Sequence, residues 1–326
     1  MKIPIPVARR LHLTTLAIFP LSFALATLGP SSVSPLGAQP GSDRLSGATA
    51  FSASLPDPGN PEELARFLRW KPDARPFVSA HRGGPAPGFP ENCIATFERA
   101  LNYGPSIVEV DVRRTVDGHM VLLHDYELDR TTTGSGLIEE TTFAQARSLR
   151  LVDNSGQVTG FIMPTLQETL AWARGRTILE LDIKRNIIPA ELVAAIREAD
   201  ALGAVMLIVY DMETAKQYHD LEPRFVFAVP APDEASIQIL RDSPVPTDQM
   251  IAFVGLESPS AGTYRALHDL GIRAILGTLG DIDREAHRFG LSTYLDYIRA
   301  GADVLATDDA ARASLALWHL RHSGAP

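Results

Sequence analysis

The chain has 326 residues, a formal charge of −9 and a hydrophobic fraction of 45%. That composition is ample for a buried core and excludes disorder over most of the length, while the acidic balance is poorly suited to nucleic acid or anionic membranes. The single cysteine, Cys93, excludes an intramolecular disulfide.

At the start, Lys2, Arg9 and Arg10 precede an apolar run over 13–28, and Pro, Ser and Gly then lead to Gly37-Ala38-Gln39. This is the outline of a secretory leader, read as residues 1–38. Pro20 interrupts the run, which is shorter than the ~20 residues that span a bilayer. Cleavage is therefore expected, with export to the periplasm or the medium and no stable membrane anchor. Cleavage after Ala38 sets Leu36 at the minus-three position, so the bond itself is left open. Loss of the three basic residues takes the net charge to −12. Residues 39–75 read as a lead-in arm rich in Pro, Gly and Ser, with a short amphipathic helix over 61–70.

Beyond the arm, strand-like runs are expected over 77–80, 107–113, 177–184, 205–210, 225–229, 250–254, 274–279 and 303–307. Amphipathic stretches such as 91–101, 190–202, 214–221, 263–270 and 293–300 lie between them, each ending near Gly or Pro. Eight β-then-α units argue for an α/β fold, a (β/α)8 TIM barrel, over 76–326. Thr165-Leu-Gln-Glu168 fits a capping box at a helix start. The stretch 126–162 fits no β/α unit and starts soon after His124, so it is expected as an insertion on the rim of a site at the strand ends.

The chemistry concentrates in His81-Arg82-Gly83, Glu91-Asn92, Glu109-Val-Asp111 and His124-Asp125. Residues i and i+2 of a strand share a face. Glu109 and Asp111 side by side on an inward face would repel each other and resist desolvation unless a cation sat between them. Oxygen ligands suit a hard divalent ion, Ca²⁺ or Mg²⁺, and the two histidines supply what proton transfer near neutral pH requires. The pattern reads as a phosphodiesterase. The third strand adds Glu180, Asp182 and Lys184 on one face. If it neighbours the second, Glu109, Asp111 and Asp182 converge on one ion, with Glu180 as a deeper ligand or a partner for Lys184.

The order His-Arg-Gly, Glu-Asn, Glu-x-Asp, His-Asp resembles the glycerophosphodiester phosphodiesterase family. HDYELDRTTTGSG (124–136), MPTLQETL (163–170), LELDIK (179–184) and ADVLATDD (302–309) extend the likeness. The resemblance implies metal-dependent hydrolysis of small glycerophosphodiesters to glycerol 3-phosphate and an alcohol, with the substrate's own glycerol hydroxyl as nucleophile. On that basis His81 and His124 are expected to act as acid and base, and Arg82 and Lys184 to hold phosphate. Glu91 could complete the metal shell and Asn92 orient a loop. The family usually carries glutamate two before the lysine, where this chain has Asp182. It also departs at Gly277-Thr278-Leu279-Gly280, where an aromatic residue and an asparagine are usual. That loss is expected to open the pocket or let the Asp281-Ile-Asp283 turn line it.

Among the remaining residues, Asp129-Arg130 is expected as an ion pair pinning its loop, Thr307-Asp308 as a turn or cap, and Cys93 as a buried packing residue at a helix start. Two other functions compete. A lysophospholipase D or sphingomyelinase-like action on acylated lipids would need an apolar rim; a non-catalytic barrel would have lost a proton-transfer residue. A glycosidase needs paired carboxylates across a sugar ring and has no use for two histidines with an arginine.

Overall fold

A computed structural model describes residues 55 and 58–322; the expected leader and most of the arm before 58 lie outside the described residues. In chain order the elements are α1 (Pro61–Leu68), β1 (Phe77–Ala80), α2 (Ile94–Leu101), β2 (Ser106–Arg114), β3 (Met120–Leu122), α3 (Phe143–Ser148), α4 (Leu166–Ala173), β4 (Leu179–Ile183) and α5 (Pro189–Glu198). There follow β5 (Val205–Ile208), α6 (Met212–Leu221), β6 (Val226–Pro230), α7 (Glu234–Arg241), β7 (Met250–Phe253), α8 (Ala261–Asp269), β8 (Ala274–Gly277), α9 (Asp281–Phe289), α10 (Ser292–Ala300), β9 (Val304–Thr307) and α11 (Ala310–His322).

Eight strands run parallel in the order β1-β9-β8-β7-β6-β5-β4-β2, and β1 pairs with β2 to close the barrel. The expected (β/α)8 architecture is therefore the one observed. The short β3 was not expected; it pairs antiparallel with β2 and leads to His124.

Strand alternation sorts the core into two layers. Val108, Val110 and Val112 of β2 and Leu179 and Leu181 of β4 cluster with the helices outside the barrel. The opposite faces fill the barrel. Its lower layer is apolar, with Phe77, Ile107, Ile178, Met206, Val226 and Ile251 packed together. Leu64 and Leu68 of α1 belong to this same cluster. The arm's helix thus plugs the barrel floor instead of merely leading in, and Asn60 caps it by accepting from the Glu63 amide. Trp70 stacks on His268 at 4.3 Å, and His268 Nε2 lies 2.9 Å from Asp303, so the arm is pinned beyond the helix as well.

The capping box at Thr165 and Glu168 forms as expected and starts α4. The insertion builds its own small core, in which Leu128, Ile138, Leu151 and Met163 pack with Cys93. Cys93 precedes α2 and is buried, and burial pushes its thiol up.

One buried charge staples the outer helices. Glu222, at the end of α6, accepts from Arg197 of α5 and from Arg224. Arg224 first, then Arg197, outweigh burial and hold its carboxyl down to about 2, against an ordinary value of 4.5. A depressed carboxylate adds stability that is complete above the ordinary value and is lost as pH falls toward the depressed one. Glu222→Gln is expected to cost about 2 kcal/mol at pH 7. In urea unfolding, the gap between variant and wild type should shrink steadily as the pH is lowered from 4.5 toward 2. A gap that does not change with pH contradicts this account.

Candidate active site

The upper layer of the barrel is acidic on one side. β2 and β4 pair in register, with Glu109 opposite Glu180 and Asp111 opposite Asp182. All four are buried. Two adjacent strands, each carrying carboxylates at i and i+2, thus put four of them on one patch of the inner wall. Oxygen atoms of Glu109, Asp111 and Asp182 all lie within 4.8 Å of one another.

The chain's own cations neutralise part of this charge. Lys184 Nζ lies 2.7 Å from Asp111 Oδ1 and also bonds Asp182 Oδ2. Burial opposes ionisation of Asp111, but the Lys184 ammonium outweighs it and holds that carboxyl below its usual range. The two aspartates in turn hold the lysine up against its burial. Among the described residues no such partner reaches Glu109. Burial, then Asp111 and Asp182, push its carboxyl well above the ordinary value.

Whether these residues fit a divalent ion can be tested on the protein itself. Asp182 Oδ1 is buried with no hydrogen-bond partner among the described residues, a costly state for a carboxylate oxygen. An all-oxygen donor set, an unpartnered oxygen and an unneutralised third carboxylate fit a hard divalent cation. Glu109, Asp111 and Asp182 are the residues that would hold it. Two expectations about this shell fail. Glu91 does not join it: its oxygens accept from Arg82 at 3.0 Å and from both terminal nitrogens of Arg130 at 2.8 Å. Glu180 does not pair with Lys184; it accepts from Ser79 Oγ at 2.6 Å, and burial raises its carboxyl to about 7. In both cases a closer partner on another segment takes the side chain, which spacing along one strand does not reveal.

The His-Arg-Gly turn is built for close approach. Arg82 has φ 50 and Asn92 φ 55, left-handed conformations that side chains rarely adopt. They are held by mutual contacts: the Asn92 amide donates to the Arg82 carbonyl, and the Arg82 amide to Glu109 at 2.6 Å. Gly83 follows at φ 85, and a Cβ there would meet the Phe97 ring at 2.2 Å. Asn92 also clasps Asp111, donating from Nδ2 to its carboxylate at 2.7 Å and accepting from its amide at 2.9 Å. Asn92 therefore orients a carboxylate of the nest directly. Among the described residues Arg82 Nε has no hydrogen-bond partner, and it lies 3.8 Å from Asp111 Oδ2.

Each histidine is backed by an aspartate. His81 Nδ1 lies 2.7 Å from Asp308, and His124 Nδ1 lies 2.7 Å from Asp125. With Nδ1 engaged, Nε2 is the nitrogen left for chemistry. Asp308, expected only as a turn or cap, follows β9. Because β9 pairs with β1, closure of the barrel brings the end of the chain beside His81. Asp125 is gripped by Arg130, from Nε at 2.7 Å and Nη2 at 3.0 Å, and this hold keeps its carboxyl far below the usual range. The expected Asp129-Arg130 pair does not form: Arg130 binds Glu91 and Asp125, while Asp129 accepts from the Gly136 amide. The insertion does reach the rim, through this arginine and through Tyr126, whose ring lies 4.1 Å from the Arg113 guanidinium. Arg113 also donates twice to the His124 carbonyl.

Two further features were not foreseen. Tyr210, just past β5, donates from its hydroxyl to Asp182 Oδ2 at 2.9 Å. At Gly277 the missing side chain opens nothing, because Leu256 and Phe253 fill its place; a Cβ there would meet them at 2.6 and 3.1 Å. Asp281 and Asp283 open α9. Asp283 is buried, accepting from Tyr294, Thr307 and the Asp308 amide, so it supports the loop behind His81.

The fold and this site define a class: a TIM barrel with three clustered carboxylates able to hold a metal and two carboxylate-backed imidazoles at the carboxyl ends of its strands. The model of the glycerophosphoryl diester phosphodiesterase family matches residues 81–285. The chain belongs to that family. A glycerophosphoryl diester phosphodiesterase from Parabacteroides distasonis is 31% identical, with a TM-score of 0.75 over 80% of this chain and 92% of its own. A glycerophosphodiester phosphodiesterase of Caldanaerobacter subterraneus subsp. tengcongensis is 32% identical over 153 residues, 45% of this chain and 63% of its own. A probable glycerophosphodiester phosphodiesterase 1 of Mycobacterium tuberculosis is 53% identical over 74 residues, 23% of this chain and 27% of its own. The match thus spans less than two thirds of these curated relatives. An Oleispira antarctica phosphodiesterase solved with its product sn-glycerol-3-phosphate shares the fold, at 23% identity and a TM-score of 0.60 over 74% of this chain and 97% of its own.

Proposed function

We propose that the protein hydrolyses glycerophosphodiesters to glycerol 3-phosphate and an alcohol, with a divalent ion, Ca²⁺ or Mg²⁺, held by Glu109, Asp111 and Asp182. The observation that carries the reading is the unpartnered Asp182 oxygen in a nest of three carboxylates, together with the carboxylate-backed imidazoles of His81 and His124. When bound, such an ion supplies Lewis-acid stabilisation of charge on the phosphate.

The chain's own residues do the rest. Arg82, whose Nε lies 3.8 Å from Asp111 and makes no hydrogen bond among the described residues, and Lys184, at the edge of the nest, bind the non-bridging oxygens. One imidazole takes the proton of the attacking hydroxyl through Nε2, and the other gives one to the departing alkoxide. Asp125 and Asp308 keep each ring in the tautomer that leaves Nε2 free, and Asn92 keeps Asp111 aimed at the nest. The N-terminal sequence supports export to the periplasm or the medium. No helix among the described residues is long and apolar enough to cross a membrane.

The test is direct. Purified protein is incubated with a panel of glycerophosphodiesters, with and without EDTA, and glycerol 3-phosphate is measured. Turnover that EDTA abolishes and Ca²⁺ or Mg²⁺ restores is the expected result. Undiminished turnover in EDTA would remove the metal from the mechanism.

A further inference from the structure

Asp182 Oδ2 receives two donors, the Lys184 ammonium and the Tyr210 hydroxyl, the latter at 2.9 Å. An ionised carboxylate only accepts, so the phenol is the donor. Oδ1 is left without a partner among the described residues. The terminal torsion of an aspartate is soft, and the two donors restrain it unequally. Lys184 reaches Asp182 from the end of the same strand, on a flexible stem that also serves Asp111. Tyr210 comes from the neighbouring strand on a rigid ring.

The fold brings that ring to the nest. β5 pairs with β4 so that Ile208 lies opposite Asp182. Alternation then turns Val209 outward into the core beneath the helices and Tyr210 back over the barrel mouth. The backbone is fixed on both sides of it: the Val209 amide donates to the Ala228 carbonyl at 3.0 Å, and Asp211 caps α6 by accepting from the Thr214 amide at 2.7 Å. The ring belongs to the walls of two cavities, one of about 210 Å³ lined by His81, Glu109 and Asp182, the other of about 520 Å³ lined by Lys184 and Tyr126. With 69% of its surface exposed, Tyr210 adds little to the core, and its one specific contact is the hydroxyl on Asp182.

We infer that Tyr210 is a positioning residue for the metal site: by holding Asp182 Oδ2 it keeps Oδ1 available to the divalent ion, and it acts on the reaction only through that carboxylate. This rests on the metal-dependent phosphodiesterase reading above. Hydrogen-bonding partners that orient a metal-binding side chain are typically worth ~10- to 100-fold in metal affinity.

The experiment titrates Ca²⁺ and Mg²⁺ into the full chain by calorimetry, without substrate, for wild type, Tyr210→Phe and Tyr126→Phe. Both rings are largely exposed, so neither substitution threatens the fold. Phenylalanine keeps the ring in the cavity wall and removes only the hydroxyl. Tyr210→Phe should raise the Kd of the ion at least ~10-fold. Tyr126 lines the same larger cavity, but its ring lies against Arg113 and not against the carboxylates. Tyr126→Phe should therefore leave the Kd unchanged. In turnover, Tyr210→Phe should recover the wild-type kcat and KM for glycerophosphocholine once the ion is raised well above its new Kd. An unchanged Kd in Tyr210→Phe overturns the inference and leaves the phosphodiesterase reading standing, and an equal rise in Tyr126→Phe does the same. A loss of kcat or a raised KM that excess ion does not repair would put the hydroxyl on the substrate, which also overturns it. If the wild type binds neither ion, the metal-dependent reading falls and takes this inference with it.

Discussion

Alanine at His81 or at His124 is expected to lower kcat/KM for glycerophosphodiesters at least ~100-fold, the scale of a lost general acid or base. The two losses should not multiply in the double variant, because proton removal and proton delivery serve one transition state. The backing carboxylates give a second readout. Asp308→Asn and Asp125→Asn leave each ring in place but favour the wrong tautomer, so both should lower kcat with little change in KM. Asp125 is itself gripped by Arg130, and Arg130 is tied to buried Glu91. Arg130→Met should therefore reproduce the Asp125→Asn defect, although Arg130 is assigned no contact with substrate. The measurement is steady-state kinetics at saturating metal. Wild-type rates in both histidine variants would eliminate the proton-transfer scheme.

Glu109→Gln is expected to weaken divalent-ion binding and to cost ~100-fold or more in activity, since Lewis-acid stabilisation is worth several kcal/mol. Its effect on stability should run the other way. In the wild type, Glu109 is buried and repelled by Asp111 and Asp182. The amide keeps an acceptor for the Arg82 amide while removing that repulsion. The metal-free variant should then melt above the metal-free wild type. The wild type should gain stability on adding Ca²⁺ or Mg²⁺, by about 2.7 kcal/mol at a concentration of 100 Kd, and the variant should gain much less. Thermal melts with and without metal check both signs. Equal metal-induced shifts in the two proteins would mean that Glu109 is not a ligand.

Much of the site was legible in the chain order of its motifs. Glu109 and Asp111, and again Glu180 and Asp182, share faces because strand side chains alternate, and the observed pairing sets the two pairs against each other. The division of labour among them was not legible. Glu180 turned to Ser79, from β1, while Lys184 spanned two strands to reach both aspartates. Glu91 follows its motif neighbour into the site but is consumed by Arg82 and Arg130. Asp308 could have been placed by one further step: a closed barrel sets its last strand beside its first, so residues after β9 must adjoin His81.

From the residues alone came the strand and helix periods, the barrel they imply, and the list of groups able to bind a cation or move a proton. Those follow from local alternation and side-chain chemistry, which neighbours in the chain are enough to specify. Only the folded barrel decided which carboxylate faces which cation, that an arm helix seals the floor, and that Leu256 and Phe253 close over Gly277. Such contacts join segments far apart in the chain, and their geometry exists only after the strands have closed on one another.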